Sequence, residues 1–172
     1  MSSLIIRPGT LDDVTTVLRF MDEATAWLVS IGRTDQWGSE PHSTNPKRIA
    51  QMEGFARAGG LWIAEAGGRP VGALSVGEAL PYAPPAQEPE LYVQFLISDR
   101  TAKGSGVGSA LLDHAREQAR ALGVGVLRLD CFAGGEGALI RYYEGQGFTR
   151  AETFSVTQGE RDWPGQVMTQ RL

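Results

Sequence analysis

The clearest periodicity in the chain runs from Val14 to Leu28, where Val14, Leu18, Met21, Ala24 and Leu28 recur at steps of 4, 3, 3 and 4. That spacing puts them on one face of an amphipathic helix. Thr10 and Asp13 ahead of it have capping-box spacing, and Gly32 ends the run. A second helix is predicted from Asn45-Pro46, an N-cap followed by a proline at the first helical position. Ile49, Met52 and Ala56 form its apolar stripe, and Gly59-Gly60 stops it. Ile5-Ile6-Arg7 reads as a short strand. Leu61–Ala66 and Pro70–Val76 read as two strands around Gly67-Gly68, a hairpin signal. Leu91–Ser98 is apolar on both faces, the pattern of a strand inside a sheet. The glycine-rich Thr101–Gly108 then opens a helix that reaches about Leu122, with Val107, Leu111, Ala115 and Leu122 expected on one side. Val126–Cys131 is the next strand. A short helix over Gly137–Glu144 ends where Gly147 suits a left-handed cap, and two closing strands flank a turn at Asp162-Trp163-Pro164-Gly165. The order β-α-α-β-β-β-α-β-α-β-β predicts a mixed α/β fold around one sheet, as a single domain over 1–172.

Composition narrows the function. A chain of 172 residues with 42% hydrophobic and 21% charged residues can bury a core without staples and is not disordered. Sixteen Lys and Arg against twenty Asp and Glu give a net charge of −4. This excludes a broadly basic nucleic-acid binder and argues against anionic membranes as a target. The single cysteine, Cys131, precludes an internal disulfide or a multi-cysteine metal site, and its apolar strand suits a buried, inert thiol. His42 and His114 lack metal-spaced partners, so no metal is expected. Met1-Ser2-Ser3-Leu4 has neither the basic start nor the apolar run of a signal peptide, and no stretch is long enough to span a bilayer. A cytoplasmic protein is expected.

The candidate chemistry begins at Lys103-Gly104-Ser105-Gly106-Val107-Gly108-Ser109, between a buried strand and a helix. Amides at a helix start point outward without partners, the helix dipole favours negative charge, and small side chains let phosphate oxygens approach. Lys103 adds a charged donor. An ordinary glycine turn is the alternative. A nucleoside-triphosphate loop would need a lysine after its last glycine, and a dinucleotide fingerprint would need glycine where Ser109 stands. A Ser-His-Asp hydrolase would need Gly-x-Ser-x-Gly, and Gly104-Ser105-Gly106 has the wrong spacing.

The segment from Lys103 to Gly108 resembles the pyrophosphate loop of the GNAT superfamily of N-acetyltransferases, Gln/Arg-x-x-Gly-x-Gly/Ala, apart from its first residue. Leu96-Ile97-Ser98 stands ahead of it as that family's coenzyme-contacting strand segment does. Tyr142-Tyr143-Glu144-Gly145-Gln146-Gly147-Phe148 is similar to the family's Tyr-x-x-x-Gly-Phe ending. Ile6-Arg7-Pro8, Asp12-Asp13-Val14, Trp27-Leu28, Gly32 and Gln36-Trp37 extend the likeness over nearly the whole chain, in order. The departures are Lys103, Ser98 in a usually aliphatic place, and Phe132-Ala133-Gly134-Gly135-Glu136 where many members carry a coenzyme-touching asparagine.

The resemblance implies a central mixed sheet with splayed middle strands flanked by helices. It implies acetyl-CoA as cofactor, held by Leu96, Ile97, Ser98, Lys103, Gly104, Ser105, Gly106, Val107, Gly108 and Ser109. It further implies transfer of the acetyl group to a primary amine by direct attack through a tetrahedral intermediate, with a small-molecule acceptor preferred over protein N-termini or lysines. A cofactor-binding sensor without turnover is the alternative. Tyr143 is the implied general acid, its phenol being protonated at neutral pH; packing of the short helix is the plainer role for Tyr142 or Tyr143. Glu90, at the entrance of the central strand, is the candidate base through a water chain, or else a solvated loop carboxylate. Asp35 and Glu40 are weaker candidates, and solvent can also serve. Trp37, Tyr82 and Tyr92 are expected to line the acceptor pocket, although core burial is the usual fate of such rings. Dimers are frequent among similar proteins, so a homodimer is expected.

Overall fold

The computed structural model describes residues 3–102, 104–158 and 161–172. Its elements follow the predicted order: β1 (Leu4–Pro8), α1 (Val14–Ser30), α2 (Pro46–Arg57), β2 (Leu61–Ala66), β3 (Arg69–Gly77), β4 (Glu90–Ser98), α3 (Val107–Leu122), β5 (Val126–Phe132), α4 (Ala138–Gly145), β6 (Thr149–Gln158) and β7 (Arg161–Arg171). The fold is mixed α/β with seven strands. The β4–β5 pair is parallel, whereas β1–β2, β2–β3, β5–β7 and β6–β7 are antiparallel. The chain, expected as one domain, forms two compact units, each discontinuous in sequence. One holds the residues up to Val76 with Phe95–His114, the other Gly77–Gln94 with Ala115–Leu172.

In the first unit, β2 and β3 turn through Gly67 and Gly68, whose φ angles of 58° and 78° suit the tight hairpin the sequence predicts. The predicted face of α1 is realised: Val14, Leu18, Met21 and Leu28 are buried, with Val17 and Phe20 beside them. At its start, Arg7 holds the capping-box carboxylate of Asp13 through two hydrogen bonds of 2.8 and 2.9 Å. Gly72 in β3 governs how α3 begins. A Cβ there would lie 2.6 Å from Val107 Cγ1, 3.0 Å from the Ile97 carbonyl oxygen and 3.1 Å from Leu111 Cδ1, so the missing side chain lets the first turn of α3 rest on the strand.

His42 is buried in the same unit. Its Nε2 lies 2.9 Å from Thr25 Oγ1, and its N–H donates to Asp22 Oδ1 at 2.6 Å. Burial, with help from Arg48, lowers its pKa below the usual 6.5, and Asp22 only partly opposes this. A base harder to protonate when folded binds more protons in the unfolded chain at acid pH. Its contribution to stability is therefore complete above about pH 6.5 and declines as pH falls below it. Thermal unfolding is expected to show this decline, and His42→Gln is expected to flatten that segment of the Tm–pH curve.

In the second unit, Glu90–Val93 of β4 pair with Val126–Leu129 of β5. Among the described residues this ladder ends at Val93 and Leu129, although β5 continues to Phe132. β7 lies between β5 and β6 and pairs with β5 from Val126–Arg171 to Phe132–Gly165. The predicted turn at Asp162–Gly165 is instead part of β7. Pro164 stands opposite Ser155, and its carbonyl accepts the Ala133 N–H at 2.9 Å, so the proline forfeits no acceptor. A Cβ on Gly165 would come within 2.3 Å of Phe154 Cζ, so this glycine makes room for a ring across the strand. At the end of α4, Gly147 adopts φ 93° as expected for the cap, and Phe148 N–H returns to the Tyr143 carbonyl at 3.0 Å.

Candidate functional site

In the first unit, the glycine loop is built outward from Asp99. This buried carboxylate accepts the Thr101 N–H at 3.0 Å and its hydroxyl at 2.9 Å, closing a tight turn after β4. Ala102 N–H then reaches the Asp99 carbonyl at 2.9 Å, and Ser105 N–H reaches the Ala102 carbonyl at 3.1 Å. Gly104 and Gly106 follow in the left-handed region, with φ of 84° and 81°. A Cβ on either would meet nothing within 4 Å, so both present bare, exposed backbone. The first hydrogen bond of α3 runs from Ala110 N–H to the Gly106 carbonyl at 3.0 Å, which leaves Val107 and Gly108 in a turn whose amides have no acceptor inside the helix.

A loop of exposed backbone ending in a helix N-terminus fits a diphosphate. One expected donor is different: the Ser105 amide and hydroxyl both turn inward to the Ala102 carbonyl, so Ser105 shapes the loop rather than offering a donor. Gly104, Gly106, Val107, Gly108 and Ser109 remain in the exposed turn and the start of α3, with the Val107 side chain buried as an anchor. Lys103 lies outside the described residues. Leu96, Ile97 and Ser98 occupy the end of β4, beyond Val93, the last β4 residue paired with β5. Ile97 is buried, and Leu96 and Ser98 are half-buried. Trp37 is also in this unit, half-buried and edge-on to the His42 ring at 5.5 Å.

The second unit assembles a polar cluster on one sheet face. Partners across a ladder share a face and alternate residues along a strand return to it, so Glu90 and Tyr92 lie with Arg128, Asp130 and Phe132. Glu90, nominated as the base, is bound by Arg128 through two contacts of 2.5 and 2.8 Å, with both side chains about nine-tenths buried. Arg128 also donates to the Pro84 carbonyl at 2.8 Å and lies over the Tyr92 ring. A carboxylate so engaged is a strut between β4, β5 and the proline-rich loop of residues 81–89. Tyr92, expected in a pocket wall, is fully buried, and its hydroxyl donates to Asp130 Oδ2. Tyr82, which is exposed, donates to Asp130 Oδ1 at 3.2 Å and stacks on Phe154 with centroids 5.6 Å apart. The structure thus joins Tyr82 and Tyr92 through a residue that the motif reading passed over.

Asp130 is half-buried, and burial raises its pKa, against the lowering effect of the two tyrosine hydroxyls and Arg128. The available signal was the alternation of Arg128 and Asp130 in an otherwise apolar strand, two charges on one face where a buried strand should carry none. Tyr143 on α4 has its ring buried and set edge-on to Tyr142 and Phe148, at centroid distances of 5.1 and 5.9 Å. Its hydroxyl has no hydrogen-bond partner among the described residues. Burial raises its pKa well above the ordinary value, with smaller contributions from Cys131, Tyr142 and Asp130, so it is a protonated donor at neutral pH. Cys131 is buried and its thiol is pushed up to about 12, which suits neither a nucleophile nor a ligand. Among the described residues no group of three His, Cys, Asp or Glu could hold a metal, and no helix is long and apolar enough to cross a membrane.

Comparison with known proteins agrees with these features. The model of the GNAT acetyltransferase family matches residues 23–148. An N-acetyltransferase from Staphylococcus aureus Mu50 superposes with a TM-score of 0.71 at 22% identity, covering 99% of both chains. A ribosomal-protein-alanine N-acetyltransferase from Brucella melitensis gives 0.72 at 24% identity, covering 98% of this chain and 99% of its own. The yncA protein of Salmonella typhimurium, solved with its cofactor acetyl-CoA, gives 0.66 at 19% identity, covering 98% and 94%. No curated protein matches the chain in sequence. At such identities the structural neighbours establish the fold; the family model, spanning well over half the sequence, establishes the lineage: the chain belongs to the GNAT family of acetyltransferases.

Proposed function

We propose that the protein transfers the acetyl group of acetyl-CoA to the primary amine of a small molecule. The observation that carries this reading is the exposed loop Gly104–Gly108, whose two left-handed glycines open directly into the first turn of α3. The loop suits the coenzyme's diphosphate, with Ser109 in the same turn, and the backbone of Leu96, Ile97 and Ser98 suits its amide-bearing arm. Acetyl-CoA supplies the acetyl group as a thioester. The chain must supply a donor for the departing sulfur, and Tyr143 carries a buried, protonated phenol whose hydroxyl is uncommitted among the described residues. The net charge of −4 favours a cationic amine as acceptor. Support for a small acceptor comes from the compact pairing of one half-buried carboxylate with two tyrosines in the second unit.

The test is release of free thiol from acetyl-CoA across a panel of amines, with acetyl-CoA affinity measured separately. Turnover with small amines is expected. Tight binding without release for any amine or peptide would leave a coenzyme sensor in place of an enzyme, and turnover confined to peptides would reject the small acceptor.

A further inference from the structure

On the footing of that transferase reading, we infer that Asp130 binds the ammonium group of the acceptor and takes its proton, and that the acceptor carries an apolar, flat body seated on the rings of Tyr82, Phe154 and Trp163. The geometry begins with the carboxylate. Asp130 is the last charged residue of β5, one position beyond the Leu129–Val93 pair that ends the β4–β5 ladder. Tyr92 donates to one oxygen, and Tyr82 reaches both at 3.2 and 3.4 Å. Two phenols fix its orientation, yet neither neutralises it. The nearby cation, Arg128, is claimed by Glu90 and Pro84. A half-buried carboxylate held by neutral donors, with its lone pairs only partly used, suits a cation brought by a ligand.

The aromatic wall follows from the same register. Phe132 of β5 faces Gly165 of β7, and Gly165 faces Phe154 of β6, so side chains at these positions share the face of Asp130. Phe154 lies between Tyr82, stacked at 5.6 Å, and Trp163, tilted at 6.2 Å. All three rings are at least partly exposed. Tyr82 belongs to both features, bonding to the carboxylate and stacking on the wall, so an ammonium at Asp130 places the rest of its molecule against aromatic surface.

The step balances. A proton passes from the ammonium nitrogen to an Asp130 oxygen, and the freed lone pair forms the nitrogen–carbonyl bond. The carbon–sulfur bond breaks with its electron pair on sulfur, and sulfur takes the Tyr143 phenolic proton. As the carbonyl re-forms, the nitrogen gives its second proton to solvent, Asp130 sheds its proton to solvent and the Tyr143 phenolate regains one, so each amide formed releases one proton overall. Burial raises the carboxyl of Asp130 and makes it a better base than an exposed one. The groups that tune it are Tyr92 from β4, Tyr82 from the proline-rich loop, Arg128 and Cys131 on its own strand, and Tyr143 from α4.

The test follows kcat against pH at saturating amine for the wild type, Asp130→Asn and Tyr82→Phe, with 2-phenylethylamine and ethanolamine as probes. Wild type is expected to lose kcat toward acid pH and to show the lower KM for 2-phenylethylamine. Asp130→Asn is expected to lower kcat by about 100-fold and abolish that acid limb, with acetyl-CoA affinity and Tm preserved. Tyr82→Phe removes a hydroxyl that stabilises the carboxylate, so its acid limb moves to higher pH, a shift that a merely structural tyrosine would not produce. Wild-type kcat and an unchanged profile in Asp130→Asn overturn the assignment, as does a preference for ethanolamine. Failure of the wild type to release thiol with any amine, despite bound acetyl-CoA, defeats the transferase reading and the assignment with it.

Discussion

Replacing Tyr143 by phenylalanine is expected to reduce kcat by about 1,000-fold, within the range typical of a lost general acid, without a matching loss of stability or of acetyl-CoA affinity. The two halves of this expectation come from different parts of the same side chain. The ring is buried against Tyr142 and Phe148, and phenylalanine preserves those contacts. The hydroxyl has no hydrogen-bond partner among the described residues, so its removal orphans no protein group there. A fall in kcat with packing and coenzyme affinity unchanged would therefore point to the hydroxyl itself. Its raised pKa does not disqualify it. A thiolate forming in an apolar setting meets the same desolvation penalty as a phenolate, so the two are matched by environment rather than by their values in water. Stopped-flow or steady-state thiol release, with coenzyme titration and thermal unfolding in parallel, checks all three expectations. Full turnover in the variant would remove Tyr143 from the chemistry and leave it as the packing residue of a short helix.

Tyr143 could be named as a candidate from the sequence because its signal is local, a tyrosine followed by Gly147 and Phe148 at the end of a helix. The glycine loop was legible for the same reason: left-handed glycines followed by an amphipathic helix form a contiguous pattern. Asp130 was not. Its hydroxyl partners stand 38 and 48 residues away, in β4 and in the proline-rich loop, and no window on β5 contains them. The same distance effect hides the partner of Glu90. At the start of a strand it reads as accessible, but its meaning is set by Arg128, 38 residues later and on the facing position but one of the parallel ladder. The error at Asp162–Gly165 has a similar origin. Proline and glycine there have the composition of a turn, yet Gly165 is needed for the ring of Phe154 on the neighbouring strand, a demand that arises only after β6 and β7 have paired. Local backbone requirements were readable along the chain; requirements imposed by a partner strand were not.

The Arg128–Glu90 pair yields the largest expected effect on stability. Arg128→Met is expected to destabilise the protein by about 3–5 kcal/mol, the usual result of removing one member of a buried ion pair, and to lower Tm by about 10 °C. The loss comes mainly from what remains. Glu90 would be left in a nearly inaccessible site with its two guanidinium contacts gone, and the Pro84 carbonyl would lose its donor. Glu90→Gln is expected to be destabilising as well, because it leaves the guanidinium without its counter-charge, whereas its kcat per folded molecule should stay near that of the wild type. That second result separates a strut from a base, since a catalytic carboxylate at position 90 would lose its acid limb along with its rate. The double variant Arg128→Met/Glu90→Leu makes the argument decisive. If the penalty is that of an isolated buried charge, replacing both partners with apolar side chains should recover most of the lost Tm. If the double variant is instead as unstable as the sum of the two single ones, the pair acts through the Pro84 tether, and the destabilisation should be reproduced by releasing the proline-rich loop alone.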